Sequence, residues 1–388
     1  MNCTLKQLLL VATVIVVGRS SYCSAQVTCS GVISGTIANS IVCSGDCTLD
    51  NATILGNVEC SSGNFLAKGN SSITGNILLI SAITRAEFDF VTVLGGVEVN
   101  EATSLTELVI KQTATLGSVK VENTPGDVVV AGSVGNLELI FSGDLFVNNL
   151  ITNASVLVKG GNGVIDVCGS SLGGLSVEEH EGNIEIDASN GNCDPTTLIG
   201  GLSANKGTGS VTVRGAAIPS GDFLVAEYTG DVILQEVQLV SDVKLEKNSG
   251  SLTIRDVSTD SDTSISGQVG NVVLRDLSGL GDFAVKEVNG DVDLRDSSFT
   301  SEDISIILVT GAVTAENNTD LNLTVEETGG MVRIIGNVID SGNVNKNTGG
   351  VEISGNNIIF LSCTDNIPAP FSINGNTIQF PDGQCVGL

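Results

Sequence analysis

The stretch Gly230-Asp231-Val232-Ile233-Leu234 returns as Gly250-Ser251-Leu252-Thr253-Ile254, as Gly270-Asn271-Val272-Val273-Leu274 and as Gly290-Asp291-Val292-Asp293-Leu294, each copy 20 residues after the last. Apolar alternation over four or five residues is the mark of a strand, and Gly followed by Asp or Asn marks the turn before it. Weaker copies run backwards through Gly209, Gly182, Gly163, Gly135, Gly117 and Gly95, and fade at Gly75 and Gly56. Between the glycines lies a second strand pattern, as in Asp242-Val243-Lys244-Leu245 and Asp282-Phe283-Ala284-Val285. A fixed period of this size belongs to a solenoid, in which a repeat buries its apolar side only against its neighbours.

The expected fold is therefore all-β: a single-chain parallel β-solenoid of about 20 residues and two main strands per coil. Parallel crossover connections are right-handed in nearly all cases, which makes a right-handed β-helix the expectation. Counting the glycine copies gives about fourteen coils, a rod of roughly 65–70 Å at one strand spacing per coil. One loop interrupts the rhythm at Ala188-Ser189-Asn190-Gly191-Asn192-Cys193-Asp194-Pro195. The chain divides into a leader (1–25), a Cys-rich cap with the first coils (26–62), the solenoid (63–355) and a C-terminal cap (356–388).

Composition narrows the class. Hydrophobic residues make up 41% of the 388, but aromatics only 3%, so the core must be built from Val, Ile, Leu and Ala. The 47 glycines have no three-residue period and are joined by only six prolines, which excludes collagen. Lys6, the apolar run Leu8 to Val17 and the small residues before Gln26 have the form of a secretory leader. Ten residues are too few to span a membrane, which takes about 20. A secreted, extracellular protein with no membrane span is the expectation.

The cysteines fit that compartment. Beyond the leader stand Cys29, Cys43, Cys47, Cys60, Cys168, Cys193, Cys363 and Cys385, an even set in three local groups, as disulfides require. Cys193 stands in the loop and is expected to reach Cys168. The connectivity of the first four is open. Glycosylation sequons begin at Asn51, Asn70, Asn153, Asn317 and Asn322. The whole chain carries −27. Such a balance argues against nucleic acid and anionic membrane surfaces as partners, and favours solubility, repulsion between copies or cations as partners.

Chemistry-bearing groups are few. His180, the sole histidine, lies among Glu178, Glu179 and Glu181 and reads as an exposed turn residue. The pairs Arg255-Asp256, Arg275-Asp276 and Arg295-Asp296 recur once per coil and read as an outer ladder of alternating charge. Glu178-Glu179 and Glu326-Glu327 have the carboxylates of glycoside chemistry, without the aromatic platform that sugars use. Gly160 to Asp166 comes near a glycine- and aspartate-rich calcium repeat but does not recur. No catalytic residue, cofactor or dedicated metal site is expected, beyond a diffuse weak affinity for calcium. Glu59, Glu98, Lys120, Glu185, Thr212, Ile233, Thr253, Val273, Asp293 and Arg333 read as outward positions of one face, the second strand of the coil, and form neither a carboxylate row nor a threonine row.

In its leader, acidity, sequons and abundance of small residues, the chain resembles the acidic secreted proteins of the skeletal organic matrix of corals and other calcifying invertebrates. It departs from the most acidic of them in having no run of more than two acids. The resemblance implies a matrix scaffold whose carboxylates face mineral cations, with matrix components or a mineral surface as partners. The competing classes are a carbohydrate-binding or carbohydrate-cleaving β-helix, with glycans as partners, and a cell-surface adhesion protein.

Overall fold

The computed structural model describes residues 26–383 apart from 113, 189–192, 280 and 367–370. The leader and Cys385 lie outside the described residues. All described regular elements are strands, paired in parallel into one β-solenoid of about 17 turns. At one strand spacing per turn the rod is about 80 Å long. It exceeds the fourteen coils read from the glycines because both ends are rungs too. Val27–Ile37 pairs with Ile41–Ile54, and Phe371–Asn374 pairs with Val351–Ser354, where the glycine signature is weak.

A rung has three sides. In the first rung these are Val27–Cys29, Gly31–Ile33 and Gly35–Ile37, separated by corners. Farther along they become Val243–Glu246, Leu252–Arg255 and Ser258–Thr259. Alternation turns Val243, Leu245, Leu252 and Ile254 inward, all at most 3% exposed. Each stacks on its counterpart one rung away, Leu234 on Ile254 and Ile254 on Leu274. Burying one such aliphatic side chain contributes about 1.5–3 kcal/mol. Aliphatic side chains fill most of the interior in layers, joined by a few fully buried aromatics such as Phe65, Phe88, Phe223 and Tyr228.

The corners are made by single left-handed residues. One column after the second side holds Glu236, Asp256, Asp276, Asp296 and Asn317 at φ between 53° and 57°, and continues as Gly336 and Gly355. A second column after the first side includes Glu227, Lys247, Glu287, Glu327 and Lys346. One such residue ends an extended run and redirects the chain. The repeated glycines have another reason. A Cβ on Gly250 would overlap the carbonyl of Gly230, and one on Gly270 would overlap that of Gly250. The glycine column is where successive backbones approach too closely for any side chain.

Behind each left-handed corner the next residue points inward, and here the core changes character along the rod. After Glu236, Asp256 and Asp276 it is apolar: Val237, Val257 and Leu277. Farther on it becomes Ser297, Asn318, Asn337 and Asn356, all buried. The Oδ1 of Asn337 accepts the backbone N–H of Asn318 at 2.8 Å, and that of Asn356 accepts the N–H of Asn337 at 2.8 Å. Their side-chain amides donate to Ala315 O at 2.9 Å and Ile334 O at 2.8 Å. A parallel ladder at the other corner joins Thr328, Asn347 and Asn366. Corners break the strand ladder, and these asparagines restore the lost bonds from within.

Disulfides tie neighbouring rungs. Cys29 bonds Cys47 and Cys43 bonds Cys60, so the first three rungs are cross-linked in succession. Cys168 bonds Cys193 and pins the irregular loop to the coil before it. Cys363 is also disulfide-bonded.

Candidate functional site

Strand register sorts the outer surface into columns, and it divides the ten outward positions expected to share one face. Glu59, Glu98 and Lys120 belong to the column of the first side. Glu185, Thr212, Ile233, Thr253, Val273, Asp293 and Arg333 belong to that of the second side. The reason is a change of phase. The glycines at 95, 117 and 135 lead into the first side, whereas those from 163 onward lead into the second.

A carboxylate row stands at a position outside those ten. The residue just before the first side is aspartate in five successive rungs: Asp222, Asp242, Asp262, Asp282 and Asp303. Its local task explains the repetition. The backbone carbonyls of Asp242 and Asp262 accept the N–H of Phe223 and Val243, both at 2.9 Å. The Oδ1 atoms of Asp262 and Asp282 accept the N–H of the next aspartate at 3.1 and 3.4 Å. One carboxylate oxygen thus fastens the corner while the group stays at the surface.

The row is unevenly neutralised. Lys244 Nζ stands 2.9 Å from Asp222 and 3.2 Å from Asp242. The Ser261 hydroxyl, which donates to Asp242, and then Lys244 hold the Asp242 carboxyl below the usual range. Among the described residues no cationic side chain pairs with Asp262, Asp282 or Asp303. Like charges one rung apart repel by about 0.9 kcal/mol in water. A divalent cation near the upper three would relieve that repulsion.

Below Asp222 the same column holds Gly201 and Gly174, and the missing side chains open a groove of about 610 Å³. Ser155, Ser176, Ser203 and Leu224 line it, and Asp222 and Lys244 close its upper end. The groove therefore runs along the rod into the foot of the aspartate row.

The remaining candidates have structural employment. Arg255, Arg275 and Arg295 do stack rung on rung. Arg255 pairs with Asp256 at 3.1 Å and Asp276 at 3.7 Å, while Arg275 and Arg295 share Asp293. His180 is not an exposed turn residue: it is 2% exposed, one place behind the left-handed Glu179 and so turned inward. Its Nδ1 lies 2.9 Å from Gly160 O, and no hydrogen-bond partner meets its Nε2 among the described residues. Glu326 and Glu327 both bind Lys346, at 2.7 and 3.2 Å. Asp166 stands in the strand Ile165–Cys168 rather than in the glycine loop before it, and burial, then nearby Asp187, raises its carboxyl pKa. The sequon residues Asn51, Asn70, Asn153 and Asn317 are exposed; Asn322 is half-buried, its amide 3.1 Å from Asp303. Among the described residues no helix is long and apolar enough to cross a membrane.

No protein-family profile, curated protein or solved structure matches the chain. The fold and the columns of this molecule are what a functional reading has to stand on.

Proposed function

We propose that the protein is a secreted structural rod of an extracellular matrix that presents carboxylates to divalent cations, as in the organic matrix of a calcified skeleton. The observation that carries the reading is the stack of about 17 turns, joined rung to rung by parallel backbone pairing. Such an object is a spacer whose surface groups repeat at one strand spacing. The disulfides fit an oxidising compartment. The net charge of −27 and the five stacked aspartates supply the carboxylates.

Adsorption of the secreted protein to calcium carbonate in seawater-strength salt tests this. The Debye length there is only a few ångströms, so net charge alone is screened. The expected result is retention that a calcium chelator reverses, reduced severalfold in the variant Asp262→Asn, Asp282→Asn, Asp303→Asn. Failure of the unaltered protein to adsorb would remove the mineral role and leave a plain scaffold.

A second reading rests on the groove, whose serine hydroxyls and bare glycine backbone suit an extended glycan. Co-sedimentation with insoluble matrix polysaccharides, lost on Ser203→Leu, would favour it.

A further inference from the structure

One sequon, Asn153-Ala154-Ser155, stands at the foot of the serine-lined groove. It rounds the corner into the first side. Thr152 is turned inward there, its hydroxyl donating to Gly135 O at 3.2 Å, while Asn153 and Ser155 are exposed. Ser155 pairs with Gly174 of the next rung and is itself part of the groove lining. Glycine pairs are stacked directly on this tripeptide. A Cβ on Gly173 would overlap the carbonyl of Asn153, and one on Gly200 the carbonyl of Gly173. For two rungs above the sequon, Gly173-Gly174 and Gly200-Gly201 are bare backbone.

The groove that begins there has free hydroxyls. Ser176 pairs in register with Ser203, one rung apart. Among the described residues no hydrogen bond engages the hydroxyl of Ser155, Ser176 or Ser203. The hydroxyls of Ser71, Ser170, Ser261 and Ser297, at other corners, are all taken by the chain itself. In the column of Ser203 the next rung up carries Leu224, and the next rungs below Ser176 carry Leu157 and Glu138. The run of free hydroxyls therefore leads from the sequon in one direction, up the rod. The other sequons lack this setting. Asn51, Asn70 and Asn317 are left-handed corner residues, the Asn322 amide bonds Asp303, and none of the four lines the groove.

We infer that the groove seats the chain's own N-linked glycan, attached at Asn153. Its innermost N-acetylglucosamines lie over the glycine backbone, with their hydroxyls and acetamides on Ser176 and Ser203 and an acetamide methyl against Leu224. Attachment joins Asn153 Nδ2 to the anomeric carbon of a lipid-diphosphate-linked oligosaccharide. The bond from that carbon to the diphosphate oxygen breaks, the diphosphate leaves with the electron pair, and the amide gives up one proton. The inference rests on the secretory reading, which supplies this donor. It makes the sugar in the groove part of the molecule, where the second reading above takes it from the matrix.

The test uses the protein secreted from a eukaryotic host, with peptide mass spectrometry following each sequon. Asn153 is expected to be glycosylated. A peptide N-glycosidase is expected to release its glycan from the native protein about tenfold more slowly than those at Asn51 and Asn70, a protection of the size that one or two net hydrogen bonds supply. Denaturation is expected to abolish the difference, a comparison that needs no variant. Ser203→Phe, which fills the groove, is expected to bring release at Asn153 up to the rate of the other sites with unchanged circular dichroism. Equal rates in the native protein, slow release that Ser203→Phe leaves as it was, or a bare Asn153 beside a glycosylated Asn51 or Asn70 would overturn the inference and leave the secretory reading standing. Bare asparagines at every sequon would overturn both. Polysaccharide binding by the glycosylated protein that is lost on Ser203→Leu would show the groove open, and would also overturn the inference.

Discussion

A residue at a corner of this rod serves the backbone first and the solvent second. Asp242 shows both roles: its main-chain oxygen closes a rung, and its carboxylate takes the Ser261 hydroxyl and the Lys244 ammonium. Those two donors depress its pKa in the folded state. The stability they contribute is therefore present above the ordinary carboxylate value of about 3.9 and is lost as the pH falls through the lower, folded value. Ser261→Ala removes the larger cause. The Asp242 midpoint, followed by its carboxyl carbon resonance, is expected to move up toward the ordinary value. An unchanged midpoint would mean that Lys244 alone holds the charge. A reader of the sequence sees these aspartates as turn formers, which they are. That they also stand in line depends on register, which no single turn discloses.

At the scale of the element, the period, the strands and the aliphatic interior were legible because alternation and glycine spacing state them directly. Two things were not. Gly-x-apolar-x-apolar introduces the first side at Gly117 and Gly135 but the second side at Gly163 and Gly182, so like patterns fall on different faces. Pairs such as Gly336-Asn337 and Gly355-Asn356 carry the Gly-Asn signal of a turn, which does not disclose that the left-handed glycine swings the asparagine into the core. His180 was misread for the same reason. The interior asparagines have a measurable consequence. Asn337→Leu would leave the N–H of Asn318 and the carbonyl of Ala315 without these partners. An unsatisfied buried group costs about 1–3 kcal/mol, so amide exchange at this corner is expected to quicken at least tenfold. No change in exchange would show that the ladder only accompanies the fold.

Across the whole molecule, stability is a sum over neighbours, and the ends are the weak places. The bonds Cys29–Cys47 and Cys43–Cys60 close loops with sequence separations of 18 and 17. Loops of that length contribute about 3 kcal/mol each in the chain-entropy view. Reduction is expected to open the first three rungs to limited proteolysis while the central rungs stay resistant; uniform digestion would contradict this. The equal spacing of the central rungs has one more consequence. Val232, Leu252, Val272 and Val292 occupy equivalent places, so excising Leu252–Asn271 would seat Val272 directly on Val232. Glycine would again lie on glycine and aspartate on aspartate, with one carboxylate fewer in the row. Duplicating the same segment would add one. Evolution or an engineer can therefore set the reach and the charge of this molecule in whole-number steps, by copying or deleting a single stretch of gene.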